Sequence, residues 1–268
     1  MISIEIENLH YAYKNEDVLK NLSFNIKQGE FFIIIGPNGS GKTTLLKTLN
    51  NIITPDKGLL KISGYSIKSY KRKSLSRKIS FVSQDTNLDF PFTANEIVMM
   101  GRSPHLGLFG LETDIDCKIV ENAMEFTHVS HLKDRLINQL SGGERQRVYI
   151  ARAICQDPEI ILLDEPTASL DLSHQVLIMD LMEKLRIEKN ITIVMVSHDI
   201  NLAALYADRL LLMKNGEIIK IGKPENVITY ENLEKTYECV IMVDKNPLGN
   251  FPIVIPVPGR YLSNKGGL

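Results

Sequence analysis

Five apolar residues, Phe31-Phe32-Ile33-Ile34-Ile35, stop at Gly36-Pro37-Asn38-Gly39-Ser40-Gly41-Lys42-Thr43-Thr44, and Leu45-Leu46 then open a helical pattern. The segment fits G-x-x-x-x-G-K-[ST] in the strand–loop–helix context that this pattern requires. An apolar run that short reads as a strand buried on both faces. The glycines let backbone N–H groups turn inward around phosphate oxygens, and the following helix adds its positive end. Lys42 is placed to reach the β- and γ-phosphates, and Thr43 to put its hydroxyl on Mg²⁺.

The rest of the chain supplies the elements that such a loop needs. Ile2, Ile4, Ile6 and Leu9 alternate with polar residues, and a second strand is expected from Val18 to Ile26. Further strands are expected at 79–82, 160–163 and 191–196, with helices at 42–50 and 173–186. From Thr93 to Ala153 apolar residues recur at helical spacing, which predicts an insert of about three helices. Asn215-Gly216 between two apolar runs predicts a hairpin. Strands alternating with helices give an α/β core. The tail after Glu231 reads as strand-rich and without chemistry of its own.

Two more segments carry chemistry. The run Ile160-Ile161-Leu162-Leu163 ends in Asp164-Glu165. At the end of a buried strand, Asp164 is placed for the Mg²⁺ shell and Glu165 to polarise a water for in-line attack. The segment Leu140-Ser141-Gly142-Gly143-Glu144-Arg145-Gln146 enters a helix. Ser141 and Glu144 can form a capping box, while the hydroxyl, the two glycine N–H groups and the helix N-terminus could also hold an anion.

Together these stretches resemble the ATP-binding-cassette family of ATPases over nearly the whole chain, with LSGGERQ matching its signature. The resemblance implies a P-loop NTPase core with an N-terminal antiparallel β subdomain and an inserted α-helical subdomain. In numbers, it implies an ATP-binding core at 1–84 and 156–230, a helical subdomain at 85–155 and a C-terminal extension at 231–268. Gln84 is similar to the family's Q-loop glutamine, a contact of Mg²⁺ and water. Ser169-Leu170-Asp171 resembles the D-loop, His198 the switch histidine, and Tyr13 the aromatic that stacks on adenine; Tyr11 is the weaker choice. The implied machine is a homodimer closed head-to-tail around two ATP molecules. Lys42, Thr43, Gln84, Asp164, Glu165 and His198 come from one subunit, and Ser141 and Gly143 come from the other.

A narrower resemblance lies in the E-x-V-x-x-G-R-x-P-H run from Glu96 to His105, in Leu170-Asp171-Leu172-Ser173-His174-Gln175, and in the ending from Asn246 to Pro256. These are similar to importers of iron–siderophore complexes, haem and cobalamin. Molybdate or another metal oxyanion is the alternative cargo, and a soluble non-transport ATPase the alternative class. An importer ATPase would sit on the cytoplasmic face of the membrane against a separate permease, contacted between Asn87 and His105. A solute-binding protein would be met only through that permease.

Composition agrees with this reading. Lys+Arg total 31 against Asp+Glu 32, so no basic field points to nucleic acid. No apolar run approaches the roughly 18 residues of a membrane span, and the alternating N-terminus predicts no secretory signal. The three cysteines, Cys117, Cys155 and Cys239, fit neither a zinc pattern nor a disulfide framework. His128 and His131 lack the further ligands of a metal site. The nine methionines read as packing. The basic cluster Lys68, Lys71, Arg72, Lys73, Arg77 and Lys78 is expected to be a solvated linker.

Overall fold

The computed structural model describes residues 1–14, 16–84, 91–107 and 110–261. It opens with β1 (Ile2–Tyr13), β2 (Glu16–Lys27), β3 (Phe31–Ile35) and α1 (Lys42–Leu49). Next come β4 (Lys57–Ile62), β5 (Tyr65–Ser66), α2 (Arg72–Ser76) and β6 (Ile79–Val82). The helical stretch holds α3 (Ala94–Met99), α4 (Asp114–Phe126) and α5 (Gly142–Cys155). The chain then runs through β7 (Ile160–Asp164), α6 (Leu172–Lys189), β8 (Thr192–Val196), α7 (Ile200–Tyr206), β9 (Arg209–Lys214) and β10 (Glu217–Gly222). It finishes with α8 (Pro224–Val227), α9 (Tyr230–Tyr237), β11 (Ile241–Lys245) and β12 (Pro252–Pro256).

The central sheet has the order β10-β9-β3-β8-β7-β6 and is parallel except for the β9–β10 hairpin. Every residue of β3, β7 and β8 is buried. Their alternating side chains serve two cores. Phe31, Ile33, Ile35, Ile161, Leu163, Ile193 and Met195 pack towards the helical layer, with Val98, Val120 and Val148. Phe32, Ile34, Ile160, Leu162, Val194 and Val196 pack towards α1 and a four-stranded antiparallel sheet, β2-β1-β4-β5. This two-sided burial explains the continuous apolar runs, and β1 alternates because one of its faces is wet.

The three helices of the insert begin alike. Thr93, Thr113 and Ser141 each form a capping box, with Glu96, Asp116 and Glu144 three residues on. Asn215 and Gly216 turn the β9–β10 hairpin with φ of 49° and 82°, the left-handed pair of a type I′ turn.

The structure corrects three expectations. The basic cluster is not simply a solvated linker, because part of it forms α2. Lys73 donates to the Leu106 carbonyl at 2.6 Å, Arg77 to that of Pro104 at 2.9 Å, and Lys78 pairs with Glu159. The tail after Glu231 is not only strands: α9 precedes the β11–β12 hairpin. Arg102, inside the expected permease contact, is buried, with Nε 2.8 Å from Asp116 Oδ1 and Nη1 donating to the Cys155 carbonyl at 2.9 Å. It holds α4 and α5 together and is not available to a permease.

Hydrogen bonds from Thr113 and from Arg102 hold the Asp116 carboxyl at about 2. Replacing Arg102 by Ala strands that charge in the interior. Arg102→Ala should lose about 3–5 kcal/mol in urea unfolding, the usual cost of removing one partner of a buried ion pair. A loss under about 1 kcal/mol would show that water replaces the guanidinium.

Candidate active site

Because β3, β6, β7 and β8 run parallel, their carboxyl ends meet at one edge of the sheet, where open α/β sheets bind ligands. The loop after β3 leads into α1, β6 leads to Gln84, β7 ends in Asp164 with Glu165 next, and β8 leads to His198. A cavity of about 520 Å³ lies there, lined by Asn38, Gly39, Ser40, Gly41, Lys42, Thr43, Thr44, Gln84, Glu165 and His198, with Val18.

The loop is shaped by its neighbours. A side chain at Gly36 would strike the Met213 carbonyl at 2.3 Å, and one at Gly41 the Val18 carbonyl at 2.8 Å, with φ of 151° and 97°. Lys42 is 5% exposed, and its ammonium donates to the carbonyls of Gly36 and Pro37 at 2.8 and 2.9 Å. Burial lowers its pKa, while Glu165 and Asp164 oppose the shift. The buried Ser40 hydroxyl has no partner. This cradle therefore carries an unmet polar group and a desolvated cation, as an anion site requires.

Thr43 Oγ1 donates to Asp164 Oδ1 at 3.1 Å. Burial raises the Asp164 pKa, and the Thr43 hydrogen bond counters it. Among the described residues no group of three His, Cys, Asp or Glu could hold a metal ion. A hydroxyl and one carboxylate facing a phosphate loop fit Mg²⁺, which takes few protein oxygens and fills its shell with phosphate and water.

Glu165 is the most constrained residue of the site. Its carboxylate receives Gln84 Nε2 at 2.6 Å on one oxygen and meets His198 Nε2 on the other. Its side chain is 9% exposed, and its backbone is left-handed at φ 51°. That conformation costs a non-glycine residue about 1–3 kcal/mol and is found where surrounding structure over-determines it. A second cavity of about 110 Å³ runs from Glu165 and His198 to Ser169 and Gln175.

The other sequence-predicted residues lie apart. Tyr13 is 46% exposed, edge-on to Tyr11 with ring centres 4.9 Å apart. Ser141, Gly142 and Gly143 form the start of α5 and are outside the cavity. Glu144 accepts the Ser141 N–H at 2.9 Å, and hydrogen bonding from Ser141 lowers its pKa. Asp171 caps α6, and its carboxyl sits at about 2 because the His174 N–H, the Ser173 hydroxyl and the His174 ring all bond to it.

One contributor escaped the sequence reading. Burial pushes the pKa of the Tyr237 hydroxyl, on α9, up to about 12, and the nearby backbone N–H of Gly36 counters that shift. It belongs to no motif, and its contact spans most of the chain.

Residues 19–168 match the ABC transporter family. The ferric enterobactin transport ATP-binding protein of Escherichia coli is 39% identical over 94% of this chain and 93% of its own length. The cobalamin import ATP-binding protein of Halobacterium salinarum is 35% identical over 97% of this chain, which spans 65% of that relative. Among solved structures, an inward-facing transporter assigned to the metal-chelate type superposes with a TM-score of 0.86 at 30% identity, over 97% of this chain and 99% of that one. A dimeric cassette in a post-hydrolysis state, bound to ADP and phosphate, superposes with a TM-score of 0.72 at 34% identity, over 82% of this chain and 98% of that one. With the phosphate loop, the paired carboxylates and the signature helix all in place, this chain belongs to the ABC transporter family of ATPases.

Proposed function

We propose that the chain is the ATP-hydrolysing subunit of a metal-chelate importer, working as one of two identical cassettes on the cytoplasmic face of a membrane permease. The observation that carries the hydrolytic part is the Glu165 carboxylate, clamped by Gln84 and His198 beside the phosphate loop. Lys42 exchanges its two carbonyl partners for the β- and γ-phosphates of ATP, and Ser40 and the loop N–H groups take the remaining oxygens. Thr43, Asp164 and the amide of Gln84 would hold Mg²⁺, which would supply positive charge against the phosphates. Glu165 takes a proton from the attacking water, while Gln84 and His198 fix the direction of its carboxylate. Tyr13 stacks on the adenine.

Ser141, Gly142 and Gly143 stand at the start of α5, outside the cavity of their own subunit, and Asp171 belongs to the adjoining turn. They serve the partner's ATP across a head-to-tail interface, so nucleotide holds the dimer closed and hydrolysis releases it. The dimeric relative with ADP and phosphate supports this reading. The division into a core at 1–84 and 156–230, a helical subdomain at 85–155 and an extension at 231–268 fits the same scheme.

Among the described residues no helix is long and apolar enough to cross a membrane, and the import ATP-binding relatives support a separate permease as the solute path. Within the segment expected to meet it, Asn87 and its neighbours up to residue 90 lie outside the described residues. The exposed Asn95 of α3 edges a cavity of about 660 Å³ that Glu121, Lys133 and Asp134 also line, and this groove is the docking place. The names of the two relatives and the metal-chelate assignment of the superposed transporter support the cargo class.

Glu165→Gln should slow ATP hydrolysis at least about a hundredfold, the scale of lost general-base assistance, while ATP still binds. Hydrolysis at the wild-type rate would remove Glu165 from the mechanism. Ser141→Arg should bind ATP as a monomer yet fail to dimerise by light scattering in the Glu165→Gln background; persistent dimers would contradict the shared site. With permease in vesicles, an iron chelate should accumulate only with the active chain, and its exclusion alongside uptake of an oxyanion would overturn the cargo.

A further inference from the structure

The segment Leu170-Asp171-Leu172-Ser173-His174-Gln175 does more than start a helix. Asp171 Oδ1 accepts the His174 backbone N–H at 2.9 Å, the His174 Nδ1 at 2.7 Å and the Ser173 hydroxyl at 2.8 Å. Gln175 Nε2 reaches back to the carbonyls of Thr167 and Leu170 at 3.3 and 3.1 Å. The first turn of α6 therefore fastens the Ser169-Leu170-Asp171 loop to itself. Asp171 also fixes the His174 ring, because a carboxylate at Nδ1 leaves the rest of the imidazole aimed in one direction.

That direction is the signature turn. A methyl group at Gly143 would lie 2.5 Å from His174 Cδ2, 2.9 Å from Cγ and 3.0 Å from Nε2. At Gly142 the same addition would meet only Leu170 Cδ2, at an ordinary 3.8 Å. Both glycines are helical in α5, and neither has positive φ. So backbone conformation does not demand glycine at 143. The imidazole packed on its Cα does.

We propose that His174 is a positioning residue for ATP hydrolysis: braced by Asp171, its ring holds Gly143 so that the signature turn and the 169–171 loop move as one body towards the partner's nucleotide. The inference rests on the shared-site reading above. It makes the glycine at 143 a packing requirement set by His174, and it explains why a histidine follows the aspartate by three residues. Without the ring, the α5 N-terminus and the loop reach the interface independently, and closing the dimer must order both.

The test is a double-mutant cycle in the Glu165→Gln background, measuring dimerisation by light scattering with Mg-ATP and monomer affinity with a fluorescent ATP analogue. His174→Ala should weaken ATP-driven dimerisation about tenfold, equivalent to about 1.4 kcal/mol, with monomer affinity unchanged. Gly143→Ala should weaken it more, and Gly142→Ala less. The decisive species is Gly143→Ala/His174→Ala, which should recover to the level of His174→Ala alone because the methyl group now has room. His174→Asn, whose amide can still donate to Asp171, should dimerise like His174→Ala by itself and rescue Gly143→Ala equally. Melting temperatures should follow the same order for Gly143→Ala, its His174→Ala double and Gly142→Ala, which reads the contact in the monomer. A double variant as impaired as Gly143→Ala would overturn the inference, and so would a Gly143→Ala protein that dimerises normally. If Glu165→Gln itself stays monomeric with Mg-ATP, the shared-site reading fails first and this role falls with it. Failure confined to the cycle removes only His174.

Discussion

Burial of the parallel strands on both faces is the constraint from which the site follows. With β3, β7 and β8 apolar at every position but the last of β7 and the first of β8, the sheet can exist only between two cores, and the alternate residues of each strand fill one or the other. The helices and the antiparallel sheet then occupy the two faces, leaving the edge at the strand ends open. Everything chemical is at that edge: the phosphate loop after β3, Gln84 after β6, Asp164 and Glu165 at β7, and His198 after β8. A shift of one strand by one residue would invert its core assignment and move its terminal residue, so packing also fixes the catalytic geometry.

At the open edge the interior imposes costs that the ligand is suited to relieve. Lys42 is desolvated and tied to carbonyls, Asp164 is pushed towards its neutral form by burial, Ser40 has no partner, and Glu165 sits in a left-handed backbone. A triphosphate with its cation would satisfy the first three at once, because it would bring acceptor oxygens to the ammonium and hydroxyl and positive charge to the carboxylate. The same groups in water would be unremarkable. Their placement at the end of a buried sheet makes them a site.

Much of this could be read in the sequence. The apolar runs ending in Gly36 and Asp164 identified β3 and β7, since strands buried on both faces carry no alternation to obscure them. Asn215-Gly216 specified its turn through backbone conformation alone. The misses share a physical cause. The helix of α2 has five residues, too short for a periodicity, and its Lys73 and Arg77 find carbonyl partners about thirty positions away. Arg102 fell within the expected permease contact because its partners, Asp116 and the Cys155 carbonyl, are brought to it only by helix packing. Tyr237 under Gly36 and the His174 ring on Gly143 are contacts between segments with no shared pattern, and no local rule contains them.

The central claim is that each ATP is enclosed by the phosphate loop of one chain and the signature of another. Mixing two disabled chains tests it most directly. Lys42→Ala lacks a working phosphate loop, Ser141→Arg lacks a working signature, and either alone should be inactive. In a mixed dimer, the Lys42 of one chain faces the Ser141 of the other, so one of the two sites is whole. An equimolar mixture should therefore regain up to about a quarter of wild-type ATP hydrolysis, given random pairing in a twofold dimer. A mixture as inactive as its components would contradict the account, because it would place both motifs in the service of the same chain's nucleotide.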